Sequence, residues 1–249
     1  MDRAQPRLND LAGEYGLTDE AIAHARTLLR LWEQDELAST RVTDPALAVD
    51  QHLADSWVAL QLDAVRDARR AADLGTGAGV PALPLAIALP QLRIALVESV
   101  SRRTTFLRTA IEACALTDRC EIVTRRAEGW PEGLGRHDLI TSRALAPLDV
   151  VFEYSAPLLA VGGRAVAWKG ALSDDERAAG QRAAELLGLE VEDEVRVQPF
   201  TGARDRRIVV ARKVAETPAR FPRREGMAKK KPLGARISTT LEPLRPASA

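Results

Sequence analysis

Two periodicities divide the chain. In the first 68 residues apolar positions recur every three to four residues: Ala21, Ile22, Ala25, Leu28, Leu29 and Trp32 share one stripe, with Thr18 ahead of them as an N-cap. Residues 39–45 read as a loop. Pro45, at a first helical position after Asp44, opens a second helix that runs through Val49, Leu53 and Trp57. Residues 1–16 read as poorly ordered. From residue 70 short apolar runs (71–74, 93–98, 120–124, 138–142 and 164–169) alternate with helical stretches such as 84–89 and 102–115. That alternation predicts right-handed βαβ units and a parallel sheet. A charged helix over 174–187 leads to two last strands, 189–200 and 206–213, joined by a loop too short for anything but antiparallel neighbours. The expected fold class is α/β: a doubly wound sheet, mostly parallel, with a C-terminal antiparallel hairpin and N-terminal helices. The expected units are a helical cap (1–68), a ligand-binding α/β domain (69–213) and a basic tail (214–249).

Charge alters this picture at one end. The 249 residues have a formal net charge of zero, but residues 202–237 hold 12 basic against 3 acidic side chains and residues 1–201 hold 22 against 31. An acidic body with a basic C-terminal segment suggests a polyanionic partner touched by one region. From Ala215 onward Pro, Lys and Arg dominate (FPRREGMAKKKPLGAR), a composition that cannot bury a core of its own. Such a segment is either a disordered tail or a strap that orders on the body or on the partner. The N-terminus lacks an apolar signal core and no run approaches the roughly 18 apolar residues of a membrane span, so a soluble cytoplasmic protein is expected. Cys114 and Cys120 read as buried free thiols, and His24, His52 and His137 are too scattered to suggest a metal site.

The strongest local signal is Asp73-Leu-Gly75-Thr-Gly77-Ala-Gly79-Val80, directly after an apolar strand and before a helix. Glycines there permit a sharp turn and let a ligand approach the backbone. Glu98 closes the next strand, 25 positions after Asp73. That spacing sets a carboxylate beside a ligand's ribose and defines an adenosine-type pocket. The dinucleotide fingerprint needs a third glycine where Val80 stands, which disfavours a nicotinamide cofactor. The D-x-G-x-G-x-G form is similar to the methyltransferase signature, with Asp73 near the methionine portion. Ala127 and Glu128 follow the third strand, where such enzymes hold adenine; Glu128 is equally readable as an ordinary helix-start acid.

In one order, DLGTGAGVPALPLAIALP, ALVESVSRRTTFLR, RRAEGW, TSRA, WKG, DRRIVVA and FPRREG resemble the glucose-inhibited division protein B (RsmG) family of 16S ribosomal RNA guanine-N7 methyltransferases, over residues 28–234. The resemblance implies a class I, Rossmann-like methyltransferase fold, S-adenosyl-L-methionine as cofactor, and 16S ribosomal RNA or the small ribosomal subunit as partner. It implies Gly75, Gly77 and Val80 along the cofactor's methionine and ribose side, Glu98 on the ribose, and Ala127 and Glu128 around adenine. Arg143 would face cofactor and substrate, His52 the mouth of the pocket, and Lys169 and Arg206 the RNA. The chain departs from the family pattern in having Ala78 and Glu225 where prolines are usual, and Glu36-Leu37-Ala38-Ser39-Thr40 in place of an Asn-Leu-Thr motif.

Guanine N7 carries an in-plane lone pair, so its methylation needs positioning more than a base. Arg143 and His52 are the candidate catalytic residues. Arg220, Arg223, Arg224, Lys229, Lys230, Lys231 and Arg236 of the tail are the candidates to neutralise phosphates. Deleting 215–249 is thus expected to weaken RNA binding and spare the cofactor. A monomer is expected. The competing readings are a methyltransferase for a non-RNA substrate and a non-catalytic RNA-binding ribosome assembly factor.

Overall fold

The structure, a computed structural model, describes residues 3–234; Arg236 lies outside them. Seven strands form one sheet in the order β3-β2-β1-β4-β5-β7-β6. They are β1 (Arg70–Leu74), β2 (Arg93–Val97), β3 (Cys120–Val123), β4 (His137–Arg143), β5 (Leu159–Lys169), β6 (Leu189–Arg196) and β7 (Arg207–Lys213). β1 to β5 are parallel, and β7 runs antiparallel between β5 and β6. β1 and β2 are buried on both faces after their first residue, which is why they read as continuous apolar runs. β6 is an edge strand held by charge: Glu190, Glu192 and Glu194 pair with Arg164, Arg177, Arg207 and Arg212. It ends before the expected residue 200, where Pro199 cannot donate to a ladder. The strand order reverses beside β1, so a crevice opens at the carboxyl ends of β1 and β4.

One face carries α1 (Gln5–Tyr15), α2 (Asp19–Gln34), a helical run over 45–61, α5 (Asp63–Arg66), α6 (Ala82–Ala88) and α7 (Ser101–Ala113). The expectation that residues 1–16 lack order is corrected by α1. Leu8 and Leu11, a helical turn apart, are fully buried, and Arg7 reaches Asp50 and the Pro199 carbonyl. Docking on the body supplies what so short a helix lacks alone. Thr18 caps α2 as expected, its hydroxyl accepting from Ala21 N at 3.1 Å. The 45–61 run is wound unevenly: α3 (Pro45–Ala48), a π-helical stretch Val49–Ala54, α4 (Asp55–Trp57) and a 3-10 turn Val58–Gln61. Three indoles lock this layer to the sheet. Trp32 Nε1 donates to the Ala78 carbonyl in the glycine-rich turn, Trp57 to that of Pro84, and Trp168 of β5 to that of Asp55.

The other face carries α8 (Leu148–Ser155) and α9 (Asp174–Leu187). Between β3 and β4 there is no long helix, only the 3-10 turns Ala127–Gly129 and Pro131–Gly133. Trp130 and residues from beyond β7 join the core there, with Phe221 and Ala228 buried. Residues 214–234, including the short α10 (Met227–Lys230), are thus a strap on the body, which settles for them the alternatives the sequence leaves open. Arg223 makes a forked pair with Glu153, which is 2% exposed. Gly226 N donates to Glu128 Oε1 at 3.0 Å and Gly234 N to Asp149 Oδ2 at 3.2 Å. The basic side chains that look solvated in the sequence include one that answers a buried acid.

A candidate active site at the carboxyl ends of the strands

The glycine-rich turn is clamped to β2, with Gly75 N and Thr76 N donating to the Val97 carbonyl. Gly75 and Gly77 have φ of +67° and +57°, backbone that other residues enter only under strain. A Cβ on Gly75 would come within 2.7 Å of Leu145 Cδ1, so a side chain there would also push the Leu145 tip aside. Glu98 follows β2 and is 3% exposed. Its Oε1 accepts from Val100 N at 2.9 Å, and its Oε2 from Gly77 N at 3.2 Å and Arg103 Nη1 at 3.3 Å. These three donors hold the carboxylate at the turn without using all its acceptor directions.

A cavity of about 250 Å³ lies against this turn, lined among others by Gly75, Glu98, Ala127, Glu128, Tyr154 and Lys229. Four of the expected cofactor residues, Gly75, Glu98, Ala127 and Glu128, are thereby brought together. Gly77 contributes its N–H to Glu98. Val80 packs instead into the core under the N-terminal helices. Asp73 is wholly buried below the turn, accepting from Thr141 Oγ1 at 2.8 Å. Burial pushes its carboxyl up to about 6, against the pull of the Thr76 and Thr141 hydroxyls. A shelf free of side chains beside a buried carboxylate suits a nucleoside diol, whose two hydroxyls donate. The donor set therefore fits the adenosine half of S-adenosylmethionine.

Beyond this cavity the chain turns on Ala144, held at φ +54°. Ala144 and Leu145 line the cavity, while Arg143 points to the N-terminal layer. Its Nη1 donates to Asp55 Oδ2 at 2.7 Å and the Gln51 carbonyl at 2.8 Å, and its Nη2 to His52 Nδ1 at 3.3 Å. With Nδ1 accepting, His52 Nε2 carries the proton and donates to Thr40 Oγ1 at 2.8 Å. Burial and the Arg143 charge push the imidazole down to about 4, so it is neutral near pH 7. Arg206 lies 3.6 Å from Asp55 Oδ1, an oxygen left without a hydrogen bond. His52 and Asp55 flank the end of the π-helical stretch, a distortion that recurs at functional sites.

Two expected RNA contacts are spent inside the protein. Lys169 pairs with Glu176 at 2.6 Å and the Ala146 carbonyl at 3.0 Å, and Arg223 is held by Glu153. Arg224, Lys229, Lys230 and Lys231 are exposed. Sequence reading misses Arg103, Tyr154 and Asp55. Arg103 has a faint signal, five positions past Glu98 in the first turn of α7, whereas Asp55 and Tyr154 reach the site only through tertiary packing.

A seven-stranded sheet with its last strand inserted antiparallel, and a glycine turn facing an acid across the carboxyl ends, is the architecture of class I methyltransferases. An O-methyltransferase from Bacillus cereus, solved in complex with SAH, has this fold with a TM-score of 0.55 at 18% identity, over 77% of this chain and 91% of that one. Mitomycin 7-O-methyltransferase gives 0.55 at 20% identity, over 85% and 68%. The particular lineage comes from sequence. The family described as GidB, rRNA small subunit methyltransferase G, matches residues 19–208. Ribosomal RNA small subunit methyltransferase G of Rubrobacter xylanophilus is 38% identical over 83% of this chain and 80% of that protein. Its counterpart in Chloroflexus aggregans is 39% identical over 82% and 86%. The chain belongs to the rRNA small subunit methyltransferase G family. It is a methyltransferase whose cofactor is S-adenosylmethionine.

Proposed function

We propose that this chain methylates N7 of a guanine in 16S ribosomal RNA, as a cytoplasmic monomer, with its cofactor's nucleoside half in the cavity beside Glu98. The supporting observation is the state of the polar cluster next to that cavity. His52 is neutral and both its ring nitrogens are engaged, so it is not set to take a proton from a substrate. A nucleophile that arrives with its lone pair free needs none taken. When bound, S-adenosylmethionine supplies a sulfonium methyl group that is already electrophilic.

The protein's own residues then have three tasks. The Gly75–Gly77 bend and Glu98 hold the nucleoside. Ala144 and Leu145 shape the side of the cavity from which β4 leads to Arg143. Arg143 and Arg206, two guanidiniums around the buried Asp55 carboxylate, leave a net positive charge facing the approach of an RNA. Arg143 is fixed by three partners, so it presents its remaining N–H donors without further ordering. Arg206, Arg224, Lys230 and Lys231 are the proposed phosphate contacts. Among the described residues no helix is long and apolar enough to cross a membrane.

Mass-spectrometric mapping of small-subunit ribosomal RNA, incubated with protein and S-adenosylmethionine, tests the reading. One new 7-methylguanosine is expected. Methylation of another base atom, or none on naked RNA and 30S particles alike, would overturn it. The pocket is tested by Gly77→Asp, which sets a second carboxylate next to Glu98 on a left-handed backbone position; calorimetry is expected to show S-adenosylmethionine binding abolished.

A further inference from the structure

The strap occupies a place where the sheet lacks a cover. A βαβ unit normally sets a helix between β3 and β4, against the face that continues to the adenine end of the crevice. Here two 3-10 turns stand in that connection, and the strap's Phe221 and Ala228 are buried in the same core as Trp130, Val97 and Val123. Three contacts fix the strap there. Arg223 grips Glu153 on α8, Gly226 N donates to Glu128, and Glu225 lies 3.7 Å from Arg126. Glu128 and Arg126 themselves line the cavity, as does Tyr154 from the same helix as Glu153. Lys229 on α10 completes that lining and makes no ion pair among the described residues.

We infer that Lys229 is a cofactor-binding residue that donates to the nucleoside half of S-adenosylmethionine, and that residues 221–231 are a wall of the cofactor cavity. The inference rests on the cofactor occupying that cavity, as proposed above. An ammonium brings three donors and no acceptor, whereas adenine ring nitrogens and ribose oxygens are acceptors. The anchor on Glu128 keeps α10 at the nucleoside end, and a sulfonium cation elsewhere in the ligand is kept away from the lysine. Removing this segment thus costs cofactor affinity, contrary to what its basic composition suggests.

Calorimetry on the full-length chain, without RNA, separates the possibilities. Lys229→Ala and Lys229→Met, the second keeping most of the apolar stem, are each expected to weaken S-adenosylhomocysteine and 5′-methylthioadenosine by about tenfold, the size of one charged hydrogen bond. Arg30→Ala, which removes an exposed charge on α2, is expected to leave both unchanged. Glu98→Gln serves as the marker for the cavity. If it weakens binding and the Lys229 variants do not, the lysine has no role and the cavity stands. Should neither Glu98→Gln nor the lysine variants weaken binding, the placement of the cofactor itself fails. A loss confined to S-adenosylhomocysteine would put Lys229 on the amino-acid carboxylate and overturn the nucleoside assignment. An equal loss from Arg30→Ala would reduce the effect to overall charge and equally overturn it.

Discussion

Single side chains at this site are defined by what surrounds them. His52 is depressed from 6.5 to about 4, so the unfolded chain takes up its proton first. Its contribution to stability is whole above pH 6.5 and is lost as pH falls toward 4. Asp73 runs the other way. Raised from 3.8 to about 6, it holds its proton longer when folded, and its contribution is whole below pH 3.8 and lost as pH rises through 6. In His52→Gln the slope due to His52 is lost while those of groups such as Asp73 and His137 stay, so the melting temperature of wild type is expected to gain on the variant between pH 4 and 6.5. A gap that does not change with pH would refute the buried, neutral imidazole. Nitrogen NMR offers a direct check: the ring is expected as the Nε2–H tautomer down to pH 5. Arg143→Ala leaves Asp55, 2% exposed, with only a distant Arg206. A loss of about 3 kcal/mol in chemical denaturation is expected, as for other broken buried pairs, together with a large fall in methyl transfer. Asp73, Gly75, Gly77 and Glu98 are legible in sequence because strand ends and the glycine bend fix them locally. Asp55 is not, since its pairing with Arg143 spans 88 positions.

Elements follow local pattern where their burial is simple. The stripe and Thr18 give α2, and continuous apolar runs give β1 and β2. The helix over 174–187 ends on Gly188 at φ +76°, an ordinary C-cap. Local pattern fails where an element depends on a distant partner. α1 has few turns of its own, and the π-helical winding of 49–54 leaves no mark in apolar spacing because both windings bury Val49, Leu53 and Ala54. The strap fails for a different reason: composition sums charges without regard to which are answered. Arg223→Ala leaves Glu153 buried and unpaired. It is expected to lower stability by roughly 3 kcal/mol and to open residues 214–234 to limited proteolysis while the sheet stays resistant. A digestion pattern matching wild type would show that the clamp does not hold the strap.

Across the whole molecule, charge is unevenly placed. Glu190, Glu192 and Glu194 of β6 are paired along its edge, whereas Arg206, Arg224, Lys230 and Lys231 lie toward the carboxyl ends or on the strap. Replacing Lys230 and Lys231 by Ala is expected to weaken RNA binding without changing sequence preference and to reduce the slope of log affinity against log salt by about two. An unchanged slope would remove these lysines from the RNA face. The N-terminal helices share one core with one face of the sheet, and the strap shares the core on the other face.

The strap's position also sets an order of events during synthesis. Every strand precedes it in the chain, and polypeptides emerge from their amino end. A nascent copy can thus assemble its sheet and glycine bend while one wall of the nucleoside cavity has yet to be translated. Full grip on the methyl donor waits for residues 221–231 to follow the sheet into the fold.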